Sequence, residues 1–277
     1  MKILIPVDFS AASRQAMRYA FYIAGNTDAQ IILLHVFDIP AMTADAYVFI
    51  PPHEEIEKVK DNHIIHFQQF VTRDSEVKYK NIKINYDCNY GNPSEHIIEF
   101  SKNEHVDLII MGIQGKCVQP SYFMGSTFIQ LMNHSTIPVI GLHGSTNFSA
   151  LKHILFTYDL KEFHNKSVFQ SIIQLSSYFK AHIHVLNVSS EISESPILLE
   201  QLMESELEPN ILKENISFHI VQNIDIIEGI KEFLKTQSVE LICFVPREHN
   251  ILSKILKEST SRKAAFQFDL PLMSIHN

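Results

Sequence analysis

Glycine is scarce in this chain, with eight residues in 277, where ordinary usage of ~7% would place about 19. Each one therefore marks a position worth explaining. Tryptophan is absent, and the three cysteines, Cys88, Cys117 and Cys243, form no Cys-x-x-Cys pair. An odd count without paired spacing excludes a disulfide scaffold and a cysteine zinc ribbon, and fits free thiols in a reducing compartment. Positive charge is also short. Twenty-three Lys and Arg stand against 31 Asp and Glu, a net charge of −8, which argues against a general nucleic-acid or anionic-membrane surface. Any phosphate site must be local. No apolar run approaches the ~20 residues of a membrane span. The start, MKILIPVDFS, lacks the basic n-region and long apolar core of a secretory leader, so a cytoplasmic protein is expected.

Several catalytic signatures are missing too. There is no G-x-S-x-G elbow, no Cys-His-Asn set, and no pair of carboxylates at helical spacing beside the glycine-bearing loop. Fifteen histidines invite a metal reading. His63 and His66 lie at i, i+3 on a predicted helix with His53 upstream, and His182 and His184 share one face of a predicted strand. None completes H-E-x-x-H or a Cys/His set, so they read as surface or boundary residues.

What is present alternates strand and helix. A strand at Lys2–Val7 leads to Asp8 and a helix from Ser10 to Gly25, which is expected to stop it. A strand follows at Ile31–Val36. The connection Asp38–Pro52 holds Pro40, Pro51 and Pro52 and cannot be a regular element. A helix over His53–Asp74, a strand at Ile82–Cys88, a Gly91-Asn92-Pro93 turn and a helix Ser94–Asn103 capped by Ser94 complete the run up to the next strand. Such alternation predicts an α/β fold with a parallel sheet covered on both faces.

After the small polar stretch His143–Asn147 the pattern restarts. Leu151–Thr157, ending near Asp159, mirrors Met1–Asp8, and His182–Val188 mirrors Ile31–Val36. Val106-Asp107-Leu108-Ile109 aligns with Val239-Glu240-Leu241-Ile242, and Ile137-Pro138-Val139 with Leu270-Pro271-Leu272, both at an offset of 133. A tandem duplication follows, with domains at 1–145 and 146–277.

The most informative stretch is Val106–Leu142. Asp107–Met111 reads as a buried strand. A loop follows that carries Gly112, Gly115 and Gly125-Ser126-Thr127, then a short helix Phe128–His134 and a second buried strand Ile137–Leu142. Glycines between a strand and a helix let backbone N–H groups approach an anion, and the helix's unpaired first amides and dipole favour negative charge. The spacing, G-x2-G-x9-G-[ST], is neither a Walker loop nor a dinucleotide fingerprint.

This spacing, with Pro138-Val139 beyond it, resembles the nucleotide loop of the universal stress protein (UspA-like) family. Lys2–Ser10 resembles that family's first strand with its terminal aspartate, and Ile31–Val36 its second strand. The resemblance implies two tandem Rossmann-like domains of the adenine nucleotide alpha hydrolase-like type, with open parallel sheets. It also implies an intramolecular pseudo-dimer in which Ile137–Leu142 and Leu270–His276 pair as last strands; further homodimerisation stays open. In such a protein Pro6, Val7, Asp8 and Val36 would border the adenosine of ATP, ADP or AMP. Asp8 would lie near the ribose or a nucleotide-bound magnesium ion, and Met111 and Gly112 would flank the nucleoside. Gly115, Gly125, Ser126 and Thr127 would take the phosphates, and Lys116 would add charge.

In the second copy Val245, Glu248 and Glu258 replace Gly112, Gly115 and Gly125, and only Ser259 keeps its type, opposite Ser126. Glutamates block close backbone approach and add like charge, so the second domain is expected to have lost the site. The function expected is a stress-response binding protein, with no catalytic residues assigned and a protein partner not identified by the sequence. The alternatives are a slow ATPase and a nucleotide-independent interaction or small-ligand protein.

Overall fold

The structure, a computed structural model, describes residues 1–37, 52–72, 82–114, 125–147, 149–158, 166–189, 215–246 and 270–275. It divides into two compact units, Met1–Ser145 and Thr146–Asn277.

The first unit runs β1 (Lys2–Pro6), α1 (Ala11–Thr27), β2 (Gln30–Phe37), α2 (His53–Thr72), β3 (Ile84–Tyr90), α3 (Pro93–Asn103), β4 (Leu108–Gly112), α4 (Ser126–His134) and β5 (Val139–Leu142). Its strands lie in the order β3-β2-β1-β4-β5, all parallel. Ile3, Leu4, Ile5, Leu108, Ile109 and Ile110 are fully buried, as a sheet covered on both faces requires. Building outward from β1, the chain goes one way to β2 and β3, then returns to β4 on the other side. The strand order therefore reverses between β1 and β4.

Helix α1 begins where Ser10 Oγ accepts the Ser13 amide at 3.1 Å. Ala12, Ala16, Ala20 and Ala24 lie on its buried face, and these short side chains bring its axis close to the sheet. Gly25 does not stop the helix as expected. Asn26 Nδ2 and Thr27 Oγ1 donate back to the carbonyls of Tyr22 and Ile23, which satisfies the last turn, and Asp28 supplies the left-handed cap at φ 52°. Ser94 is likewise not the cap of α3. Asn92 Oδ1 accepts the Ser94 amide at 3.0 Å, and Pro93 occupies the first turn, where its missing N–H costs nothing. Strand β3 starts two residues later than expected, at Ile84. In the polar stretch between the repeats His143 and Thr146 are buried and Gly144, Ser145 and Asn147 exposed.

The second unit runs β6 (His153–Thr157), α5 (Lys166–Phe179), β7 (His182–Ser189), β8 (Ile216–Gln222), α6 (Ile226–Thr236), β9 (Leu241–Phe244) and β10 (Leu272–Ser274). Its parallel order is β10-β9-β6-β7-β8. The chain thus repeats the reversal, here between β6 and β9. Gly229, the one glycine of residues 146–277, sits where a Cβ would fall 2.5 Å from Val188. It is glycine so that α6 can lie close on β7. Among the described residues no helix is long and apolar enough to cross a membrane.

Candidate functional site

In an open parallel sheet, ligands sit outside the carboxyl ends of the strands at the point where strand order reverses. In the first unit that point lies between β1 and β4. The register Ile3↔Leu108 and Leu4↔Ile109 carries forward to set Pro6 and Val7 level with Met111 and Gly112. The β1–β2 register, Pro6↔Leu34, likewise sets Asp8 level with Val36. Six of the expected residues therefore share one sheet edge.

Their chemistry differs. Val7 and Met111 are buried, and Val7 has both backbone groups engaged, its amide to Leu34 O at 2.8 Å and its carbonyl by His35 Nδ1 at 2.6 Å. Val7 shapes the floor and offers no free polar group there. Asp8 is different. Its Oδ1 accepts the Ser10 amide at 3.0 Å, and its Oδ2 has no partner among the described residues, leaving an acceptor for a hydroxyl donor or an oxygen ligand for a cation.

Gly112 has a reason other than room for an anion. A Cβ there would lie 2.7 Å from the Ala12 backbone carbon and 2.8 Å from the Ser13 amide, so it is the gap through which α1 meets β4. Gly125 also has a different role. Its amide donates to Ile113 O at 2.7 Å and cannot reach a phosphate. It stands as the N-cap of α4 with no side-chain hydrogen bond, so the amides of Ser126, Thr127 and Phe128 have no partner among the described residues. These three N–H groups lie at the positive end of a nine-residue helix, where negative charge is favoured. Ser126 is exposed and Thr127 half-buried. Gly115, Lys116 and Cys117 lie outside the described residues, as do Asp159, Glu248, Glu258 and Ser259.

An aromatic cluster at this same end escaped the sequence reading. Phe9, the residue after Asp8, takes φ 62°, a region disfavoured for a bulky side chain. Its ring centroid lies 4.9 Å from His35, 5.4 Å from Phe67 and 5.5 Å from Phe70, and it stacks on His63 at 6.2 Å. Arg14 caps the group 4.3 Å over Phe70. This packing of α2 on the end of β1 holds the backbone turn that presents Asp8. Phe9 next to the motif aspartate and the i, i+3 pair His63 and His66 were the available signals. Among the described residues no three His, Cys, Asp or Glu are spaced to hold a metal. Two surface cavities, of about 410 and 440 Å³, are lined by residues at the opposite end of β2 and along α3 and β3, away from this edge.

The profile of the universal stress protein family matches residues 1–142. The chain belongs to the universal stress protein family. A universal stress protein of Methanocaldococcus jannaschii is 26% identical over 140 residues, which cover 50% of this chain and 79% of that protein. One from Archaeoglobus fulgidus DSM 4304 covers 100% of this chain and 96% of its own at 17% identity with a TM-score of 0.71, which shows a shared fold. A universal stress protein in complex with cAMP matches 52% of this chain and 98% of its own at 18% identity; the TM-score of 0.40 is too low to assign a ligand here.

Proposed function

We propose that the first unit binds an adenine nucleotide, ATP or its di- and monophosphates, in the crevice at the carboxyl ends of β1 and β4, and that the protein works as a nucleotide-responsive binding protein of the stress response. The observation that carries the reading is the start of α4, three adjacent amides without partners among the described residues beside the strand-order reversal, on the same unit as the half-free Asp8 carboxylate. Asp8 accepts from the ribose, or orders a magnesium ion held mainly by the nucleotide's own phosphates. The amides of Ser126, Thr127 and Phe128 and the two hydroxyls take the phosphates. Met111, Gly112, Pro6, Val7 and Val36 form the floor under the nucleoside, and Gly115 continues the cradle. The second unit serves as a scaffold without this site, its loop glycines being replaced by Glu248 and Glu258. His35 at this end is tied to the Val7 carbonyl, and binding rather than turnover is the activity we assign.

Thermal denaturation of the full chain with Mg-ATP, ADP and AMP tests this. Saturation at ~100 times Kd stabilises the folded state by about 2.7 kcal/mol. Gly125→Glu, which puts an acid at the α4 start and copies the residue type of Glu258 at the matching sequence position, is expected to abolish the shift, and Ser259→Ala to leave it intact. An unchanged shift in the Gly125→Glu protein would sink the assigned loop, and no shift with any adenine nucleotide would sink the function.

A further inference from the structure

The face of a parallel sheet beneath a covering helix is ordinarily apolar. Under α6 in the second unit it is not. His153 on β6, His182 and His184 on β7, and Ser217 and His219 on β8 lie on one face, as the pairs His153↔His182 and His184↔Ser217 require. Ser217 Oγ lies 2.9 Å from His182 Nε2, 3.0 Å from His184 Nδ1 and 2.9 Å from His219 Nε2. His184 also reaches His153 Nδ1 through Nε2 and His219 Nε2 through Nδ1, each at 3.1 Å. Phe233 of α6 covers the group, 5.8 Å from the His184 ring and 4.9 Å from that of His219.

The matching place in the first unit is an open groove of about 440 Å³, lined in part by Ile32, Asn85, Asp87, Phe100 and Glu104. By strand register and the offset of the repeats, His184 stands at Ile32, Ser217 at Asn85, His219 at Asp87, Phe233 at Phe100 and Gln237 at Glu104. The first unit leaves the space between α3 and its sheet open and acidic. The other fills it with imidazoles.

A neutral imidazole has one donor and one acceptor nitrogen, so four neutral rings and one hydroxyl can satisfy each other. His184 Nε2–H donating to His153, with its Nδ1 accepting from His219 or Ser217, is one such arrangement. A proton added to His184 removes its acceptor and sets a cation 3.1 Å from two further imidazoles. No counter-charge faces it among the described residues. Glu228 of α6 is exposed and paired with Lys231 at 2.6 Å, Glu232 and Lys235 are exposed, and Lys152, also exposed, lies at the strand edge. The Glu240 carboxylate is engaged by the amides of Lys152 and His153. On the opposite face, α5 brings Phe169 against Phe156.

We propose that this histidine face is a proton-operated latch: neutral, it holds α6 across β7 and β8, and proton uptake in mild acid releases the helix from the sheet. The direction follows from burial, which lowers the His184 pKa to about 4, helped by His182, His219 and His153. Burial also lowers those of His182 and His219. A group whose folded pKa is depressed below its ordinary value of 6.5 takes up protons more readily in the open state. The latch therefore holds fully above pH ~6.5 and weakens as pH falls from there toward about 4, by up to tenfold in the closing equilibrium per proton per pH unit.

The test is hydrogen exchange of the full chain at pH 7.5 and 5.0, corrected for intrinsic exchange. Peptides of α6 are expected to lose at least tenfold in protection at pH 5.0, while those of α3 in the first unit change less than threefold. His184→Ile, which installs the residue found at position 32, is expected to bring the α6 loss below threefold. An α6 loss no larger than that of α3, or one that stays above threefold in His184→Ile, overturns the proposal. If that variant does not fold, imidazole NMR of the wild-type chain decides. A His184 ring still neutral at pH 5.5 supports the latch, and a midpoint near 6.5 overturns it.

Discussion

The two units share their polar fastenings and differ in what they build on them. In the first, Asp107 Oδ2 accepts the amide of Lys2 at 2.7 Å; in the second, Glu240 Oε2 accepts that of His153 at 2.7 Å. His35 donates to the carbonyl of Val7, and Asn187 to that of Tyr158 at 3.0 Å. Asn92 caps α3 and Asp225 caps α6. Each pair makes the same fastening at one place in the repeat with a different residue. Among the described residues, the space between the sheet and α3 in one unit, and α6 in the other, carries no such shared bond. The bonds that fix strand ends and helix starts serve both copies here, whereas surfaces above them are available for a ligand or for a different filling.

The comparison can be broken first at Phe9. Phe9→Ala removes the ring that holds α2 to the end of β1, and is expected to destabilise the first unit by about 3 kcal/mol. Hydrogen exchange, which reports each unit separately, should show the loss in α2 and β1 while α6 is unchanged. An equal loss in both units would mean that the cluster is not a local device. Gly112→Val, which copies the second unit's Val245, drives a side chain into the α1 backbone and is expected to cost about 2–3 kcal/mol. The reverse change, Val245→Gly, costs about 1 kcal/mol or less. Urea denaturation of the pair tests whether α1 really makes the closer approach.

Smaller effects sharpen the parallel bonds. Asn187→Ala and His35→Ala each strand a backbone carbonyl at the end of a central strand, and each is expected to cost about 1–2 kcal/mol in its own unit. If one is silent and the other is not, the two bonds are not equivalent. The smallest effect is chemical. Burial pushes the Cys88 thiol up to about 12, with Asp87 adding to the rise, and burial also holds that of fully buried Cys243 well above its ordinary value. Neither should react with iodoacetamide in the native protein at pH 7.5, and mass spectrometry of labelled peptides checks this.

Much of the fold was legible in the residues. Alternating apolar strands and amphipathic helices predicted the parallel sheets, and the offset matches predicted the repeat, because both depend on local periodicity. The site was legible in part. The sequence marked Asp8, Gly125, Ser126 and Thr127, and strand register brings Asp8, Val36 and Gly112 to one edge. It did not reveal what two of the glycines do within the fold, since whether a missing Cβ makes room for a neighbouring helix depends on what stands opposite. Gly112 faces Ala12, a hundred residues away in sequence, and the Gly125 amide is spent on Ile113.

The histidines show the same division more sharply. HIHVLNV places His182 and His184 on one face by the two-residue period of a strand, and that much needs no coordinates. Whether that face meets water or other imidazoles depends on which strands flank β7. Only the pairing of β7 with β6 and β8, beneath α6, joins His153 and His219 to them. Order along the chain fixes what each segment can become, because propensity, capping and periodicity act over a few residues. The company each side chain keeps was decided by tertiary pairing, because burial and proton affinity are set by neighbours distant in sequence.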